Sequence, residues 1–484
     1  MSNHTHNKGV TMSFAKTAIA APRFVPKFNI GCLLDIPTGY PVKGIKGETI
    51  TLGGLHHFTG GTGEANSAKT GLAVYQVLTT LERYKPSSLT VLDTESTLPV
   101  ERIIDQARRL APSRVKSQVD ANGVTHYTLD EITVTNHSRY KGETFFADFK
   151  NYGKNRPKLK GDYIETPFID PETNEIIKIL APDLVFVDSF SQLNVSAMEA
   201  MQNATEAGDS KQNMLWMTGG RVKTQILTEL PVISEQYGLY YYLTTQIGEK
   251  KDMDPYAPKR STLSYLKNNL TIKGAPDAYR YNAHNLWFNF KMKPFQNPGT
   301  KAPEYPRAGE NDDKGSQDLQ EIVVINLRNK SGASGDLMSI MYSQSEGVLA
   351  HLSEFHFIKD NKFGLVGSNT NYALALYPDV RLSRTTIRSK IDEDAKLRAA
   401  ITLTADLLQI KTQWHGTLPH GFICDAETLY DDIAAKGYDW NVLLESRNYW
   451  TFDQYTNPIP YLSAMDLLYM REGSYHPYWL EDLK

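Results

Sequence analysis

Cysteine is scarce: Cys32 and Cys424 are the only two in 484 residues. That excludes a disulfide framework and a cysteine-rich zinc site, and it fits a reducing compartment, the cytoplasm, or a host's cytoplasm for a viral protein. No apolar run reaches the length that crosses a membrane, and the N-terminus lacks the apolar centre of a signal peptide, so no membrane partner is expected. Net charge is small as well, −3 by formal count. Such a chain is not coated with base for wholesale nucleic-acid binding, although a local basic patch is enough for a groove. With 40% apolar and 22% charged residues the composition is that of an ordinary globular protein, and 484 residues exceed one core, so two or three domains are expected.

The most informative stretch runs from Gly53 to Glu95. Thr51 to Phe58 reads as a strand leading into Thr59-Gly60-Gly61-Thr62-Gly63-Glu64-Ala65-Asn66-Ser67-Ala68-Lys69-Thr70-Gly71. Gly63, four residues, Ala68 and then Lys69-Thr70 is the spacing of a phosphate-binding loop with Ala in place of its second Gly. Successive N–H groups and a helix N-terminus would cradle the phosphates of ATP, Lys69 would reach the β- and γ-phosphates, and the Thr70 hydroxyl would ligate Mg²⁺. The competing interpretation is a Gly-rich turn at a helix start. Context favours the nucleotide, because a helix continues through Leu78 and Ser88–Asp93 is a buried strand by composition. Ala68 costs little at negative φ, whereas at positive φ its Cβ crowds the site.

Acids then appear where strands end. Asp93-Thr94-Glu95 follows one strand, and Glu95 is a candidate to polarise an attacking water. Asp183–Asp188 is a short apolar run ending in an acid, which would deliver Asp188 to the metal. The strand Tyr240–Gln246 ends in an amide able to sense the γ-phosphate; the alternative is a surface Gln. Glu321–Leu327 precedes Arg328-Asn329-Lys330, cations that either form a hairpin turn or reach a neighbouring protomer's nucleotide as a finger in trans. From 247 to 276, Lys250, Lys251, Lys259, Arg260, Lys267 and Lys273 stand against three acids, a net of +3, with Tyr256 and Tyr265 interleaved. Cations with aromatics suit single-stranded nucleic acid, through phosphate neutralisation and stacking.

Elsewhere the reading is coarser. Residues 1–11 are polar, with His4 and His6 expected to be solvated, and a short apolar helix at 13–21 could grip a neighbouring protomer or pack on its own core. Gly31–Asp35 through Gly44 reads as a strand and turn leading into the phosphate-loop strand. Residues 111–180 read as an insertion with short strands and a basic loop at Asn151–Lys160. Beyond about 355 a small α-rich C-terminal domain is expected, with an amphipathic helix over 392–413.

Taken together these residues resemble the RecA/RadA family of strand-exchange recombinases, phage relatives included. Val91-Leu92-Asp93-Thr94-Glu95-Ser96-Thr97-Leu98-Pro99-Val100-Glu101-Arg102 is similar to the family's strand bearing the catalytic Glu, Leu184–Ser189 to its metal-binding strand, and Tyr242–Gln246 to the strand whose Gln couples ATP to DNA. The resemblance spans roughly residues 30–350. It implies an α/β fold: a RecA-like P-loop ATPase core (31–355) with a mostly parallel twisted sheet flanked by helices, between an N-terminal segment (1–30) and a C-terminal domain (356–484). It also implies that Glu95 activates water, that Arg102 lies against adenine, and that Arg328 and Lys330 act across a protomer interface. Loops 192–220 and 247–279 would bind DNA, together with Arg221 directly after the first. The implied partners are single-stranded DNA, homologous duplex, further copies in a helical filament, and a mediator or single-strand-binding protein. Three features depart from the family: Ala68, the length of 111–180, and the C-terminal region. Two other interpretations stay open, a hexameric RecA-fold helicase and a nucleotide-binding structural protein without catalysis.

Overall fold

A computed structural model describes residues 24–136, 142–158, 163–196, 211–249, 265–266, 270–310, 313–368, 370–414 and 416–483. The N-terminal helix expected at 13–21 and the cations Lys250, Lys251, Lys259, Arg260 and Lys267 lie outside these residues. No described helix is long and apolar enough to cross a membrane.

Among the described residues a short helix, Asp35–Thr38, precedes a hairpin, β1 (Tyr40–Lys43) and β2 (Thr49–Leu52), which is not part of the main sheet. Next come β3 (Phe58–Gly63), helix α1 (Lys69–Arg83), β4 (Ser88–Asp93) and α2 (Val100–Leu110). The hairpin β5 (Val115–Val119) and β6 (Thr125–Leu129) precedes β7 (Ile132–Asn136), α3 (Gly142–Asn155), and a second hairpin, β8 (Tyr163–Ile169) and β9 (Ile176–Leu180). The chain returns through β10 (Asp183–Asp188), α4 (Lys211–Tyr237), β11 (Leu239–Glu249), β12 (Leu270–Lys273) and α5 (Asp277–Asn282). It then runs through β13 (Asn285–Pro294), β14 (Leu319–Asn329), β15 (Leu337–Ser343), β16 (Gly347–Val348) and α6 (Ala350–Asp360). Ten of these strands form one sheet in the order β16-β15-β14-β13-β3-β11-β10-β4-β7, with β12 on β11. From β13 to β7 every pairing is parallel. The protein is therefore of the mixed α/β class, with a large, mostly parallel sheet flanked by helices.

Alternation along the strands divides the interior in two. Tyr240 and Tyr242 of β11 enter one core with α1, whereas Tyr241 and Leu243 enter the other with Phe145 and Phe146 of α3 and Leu227 and Leu230 of α4. Burial on both faces explains why β10 is a continuous apolar run.

Several expectations need correction. The predicted strand Thr51–Phe58 is two strands, interrupted where Gly54 takes φ +92 and where a Cβ on Gly53 would lie 1.9 Å from Asp35 O. Gly31–Asp35 is a turn, because Gly31, Cys32 and Leu33 all have positive φ. Of the expected loop Asn151–Lys160, the described residues 151–158 are not a loop: α3 runs to Asn155, and Pro157 falls in the 3₁₀ turn after it. The 111–180 segment is not a pure insertion, since β7 pairs with β4 at the sheet edge. Residues 247–280 contain β12 and α5. Nor is the chain beyond 355 a separate α-rich unit. It carries a three-stranded sheet, and its helices, including Ala395–Gln413, share one core with α1 and β10.

Candidate functional site

Parallel strands end together, and the register sets what meets there. Gly63 is paired with Gln246, and Asp188 with Asp93. The loop after β3 is Glu64–Ala68. Gly60, Gly61 and Thr62 lie inside the strand, where the first two make room for tyrosines: a Cβ would come within 2.5 Å of Tyr279 Oη at Gly60 and 2.8 Å of Tyr242 Oη at Gly61. Gly63 has a different role. A Cβ there would lie 2.4 Å from Ser67 Oγ and 3.0 Å from Asn289 O, so the bend into the loop requires glycine. Ser67 Oγ donates to Glu64 O (2.8 Å) and Asn289 Nδ2 to Ser67 O (2.8 Å), which holds the loop to β13. Asn66 and Ala68 have φ of 58 and 56, with Ala65 on the exposed crest between Glu64 and Asn66. Ala68 thus adopts the left-handed backbone that glycine prefers.

Lys69 is the first residue of α1, and its ammonium donates to Glu64 O (2.6 Å). Burial lowers its pKa, while Asp188 and Glu95 pull the other way. Thr70 Oγ1 donates to Asp188 Oδ2 (2.6 Å), and Thr244 Oγ1 donates to Asp188 Oδ1 (2.5 Å). Burial raises the Asp188 carboxyl, and those two hydroxyls oppose the rise. Gly71 leaves space for Tyr342, whose ring would lie 2.7 Å from a Cβ there; the Tyr342 hydroxyl accepts from Arg102 Nη2 (3.4 Å), which puts Arg102 beside the helix start.

Glu95 is exposed and joined to both neighbouring strand ends. Its Oε1 accepts from Ser189 Oγ (2.8 Å) and from Gln246 Nε2 (3.1 Å). Asp93 takes no part in that contact: Oδ1 accepts from Glu95 N and Oδ2 from Leu98 N, so it shapes the turn that carries Glu95. Thr94 latches β4 to β10, donating to Ser189 O (2.7 Å) and accepting from Ser189 N (2.8 Å). Neither Glu95 nor Thr97 caps α2, whose cap position is Pro99.

The hydrogen bonds continue outward. Gln246 N donates to Ser191 Oγ (2.9 Å), and that hydroxyl donates to Lys273 O (2.7 Å). Buried Lys223 donates to Phe190 O (3.2 Å), Ser191 O (3.1 Å) and Gly274 O (2.8 Å). The Lys223 ammonium therefore fastens the start of the 192–220 segment to the end of the 247–279 segment. Arg221 and Lys273 are exposed near these junctions.

Lys69, Thr70, Asp188, Glu95, Gln246 and Arg102 are brought together; Arg328 and Lys330 are not. Because β14 runs antiparallel to β13, Arg328 is paired with Leu286 at the start of β13, whereas Asn289 further along is level with Gly63. Three residues of strand separate them, about 10 Å, so these cations sit at the opposite end of the sheet. Sequence reading missed Thr244 and the role of Asn289, which carry no motif and act only through register. A cavity of about 620 Å³, lined by Arg83, Glu346, Arg388 and Tyr449 among others, contains none of these site residues.

The fold and the clustered strand ends define a class, an α/β protein with a polar site at the C-terminal edge of its parallel strands. No protein-family model matches the chain, and no curated protein matches it.

Proposed function

We propose that this protein is an ATP-dependent recombinase that forms a filament on single-stranded DNA and promotes homologous pairing and strand exchange. The observation that carries the reading is the junction at Glu95, where one carboxylate oxygen is shared by Ser189, next to Asp188, and by Gln246, whose strand leads into the basic 247–279 segment. Such a junction suits an enzyme in which the state of the nucleotide alters the grip on DNA.

The residues fit a magnesium nucleotide. Gly63 bends where a Cβ would fill the turn, the Lys69 ammonium rests on a carbonyl oxygen in the manner of a group suited to an anion, and Thr70 with Asp188 offers the hard oxygen ligands that Mg²⁺ takes. When bound, ATP with Mg²⁺ supplies the phosphoanhydride and the metal's neutralising charge. Lys69 would hold phosphate, Thr70 and Asp188 the metal, and Arg102 the base. Glu95 Oε1 is engaged twice, which leaves Oε2 to accept a proton from water. Gln246 Nε2 would exchange Glu95 for a phosphate oxygen, and its backbone contact with Ser191 would carry the change to Lys273 and the Lys223 clamp. Arg328 and Lys330, at the far end of the sheet, would serve the nucleotide of a neighbouring copy.

Hydrolysis by the full chain, measured with and without single-stranded DNA while the same samples are imaged by negative stain, tests this. The expected result is DNA-stimulated turnover with helical filaments, abolished in Lys69→Ala. Glu95→Gln should retain nucleotide binding and lose roughly 10²–10⁴-fold in rate; undiminished turnover would remove Glu95 from its role. Closed rings that unwind forked duplex would assign a helicase instead. Binding without turnover would assign a non-catalytic protein, an outcome that the positive φ of Ala68 specifically favours.

A further inference from the structure

Three imidazoles meet at the end of the sheet opposite Lys69. His56 and His57 lie in the turn entering β3, and His284 immediately precedes β13. The two strands pair in parallel from Thr59 and Asn285, and His284 N donates to Phe58 O (2.9 Å), so the pairing itself sets the turns side by side. Ring centroids are 4.1 Å apart for His56–His57, 4.0 Å for His56–His284 and 3.8 Å for His57–His284. One ring nitrogen from each residue lies within 4.8 Å of the others. The Nδ1 atoms of His57 and His284 are buried with no hydrogen-bond partner. Leaving such an atom unsatisfied costs about 1–3 kcal/mol, and two of them at one place call for a ligand.

We propose that His56, His57 and His284 bind a transition-metal dication of borderline softness, Zn²⁺ foremost, with a fourth position open to water. Imidazole nitrogen suits Zn²⁺, Cu²⁺ and Ni²⁺; the set contains no oxygen ligand, which sets it apart from Mg²⁺ and from the Thr70–Asp188 pair. Zn–N bonds of about 2.0–2.1 Å place the nitrogens of a tetrahedral site about 3.4 Å apart, so the cluster must contract. His56 and His284 stack with planes 7° apart and must turn about χ2, a broad torsion for imidazole, so that their lone pairs converge. His56 Nδ1 also accepts from His57 N (2.9 Å), a bond worth about 1 kcal/mol that ligation rearranges. The bound ion would staple the entries of β3 and β13, beside Lys330, whose N–H is bonded to His284 O (3.0 Å).

Lys27, Arg328 and Lys330 act on these rings and oppose a dication. Because Lys27, His56 and His57 are buried, bulk salt screens that opposition little.

The test uses chelator-treated full-length protein carrying His4→Ala and His6→Ala, with millimolar Mg²⁺ present, titrated with Co²⁺ and then Zn²⁺. Expected are one Co²⁺ per chain with the intense visible absorption of four-coordinate cobalt and no thiolate band, and displacement by Zn²⁺. His57→Asn and His284→Asn should each weaken Zn²⁺ by about 100-fold or more, beyond the effect of losing an outer-shell partner. Absence of stoichiometric binding, or binding that survives both substitutions in folded protein, would overturn the proposal. Should the variants fail to fold, the cobalt spectrum and stoichiometry of the parent chain decide.

Discussion

Ala68 holds φ 56 and ψ 28, a conformation that costs an L-residue with a Cβ about 1–2 kcal/mol and glycine nothing. Ala68→Gly should therefore raise the unfolding free energy by about 0.5–1 kcal/mol once the greater freedom of glycine in the unfolded chain is deducted. Denaturant titration checks this, and a less stable variant would show that the loop is unstrained. Residue by residue, the site was legible where chemistry demands a fixed type at a fixed spacing. Gly63, Lys69 and Thr70 belong to one local turn, and Glu95 and Asp188 close apolar runs. Ser189 and Thr244 carry no such signal, because an ordinary hydroxyl gains a role only when register sets it beside a carboxylate. The histidine cluster was invisible for the same reason. His57 and His284 are remote in sequence and meet through strand pairing.

At the scale of elements, β3 is a central strand, and two of its three glycines, Gly60 and Gly61, make room for tyrosines on opposite faces. Gly60→Ala should destabilise the protein by about 1–3 kcal/mol, since Tyr279 must yield its position and its hydroxyl bond to Leu243 O (2.8 Å). Calorimetry or chemical unfolding would read the loss; a neutral result would mean that Tyr279 can move freely. These glycines look in sequence like part of a phosphate loop, and only the structure separates the packing glycines from the bending one, Gly63. Strands β4, β10, β11 and β14 were legible from apolar composition because each is buried over most of its length. The fully exposed or turn-rich segments were not: Gly31–Asp35 is apolar enough to imitate a strand, yet its positive φ values make it a turn.

Across the whole molecule, Glu346 bolts distant parts together. It accepts from Arg307 Nε (2.8 Å) and Arg388 Nη2 (2.5 Å) and pairs with Arg109 (3.6 Å). Burial alone would raise its carboxyl, but the Arg307 hydrogen bonds and the charges of Arg388, Arg307 and Arg109 hold it down at about 2 against an ordinary 4.5. A depressed carboxylate stabilises the fold above its unfolded pKa, and that contribution is lost as pH falls from 4.5 through about 2. Glu346→Gln should thus cost about 2 kcal/mol near neutral pH, after discounting the shift for solvent screening. The difference from the parent should close toward pH 2. Urea titrations at a series of pH values test it, and a gap that is independent of pH would place the loss in packing.

The shared core has one more consequence, for the time at which the protein can fold. Thr49 N donates to Asp466 Oδ1, 417 residues onward, and Trp450 Nε1 donates to Lys27 O (3.1 Å) across 423 residues. At about 5–20 residues per second, roughly 20–80 s of translation separate such partners. Through that interval the first hairpin waits on the ribosome with its apolar face uncovered, and the fold closes only when the last helices emerge.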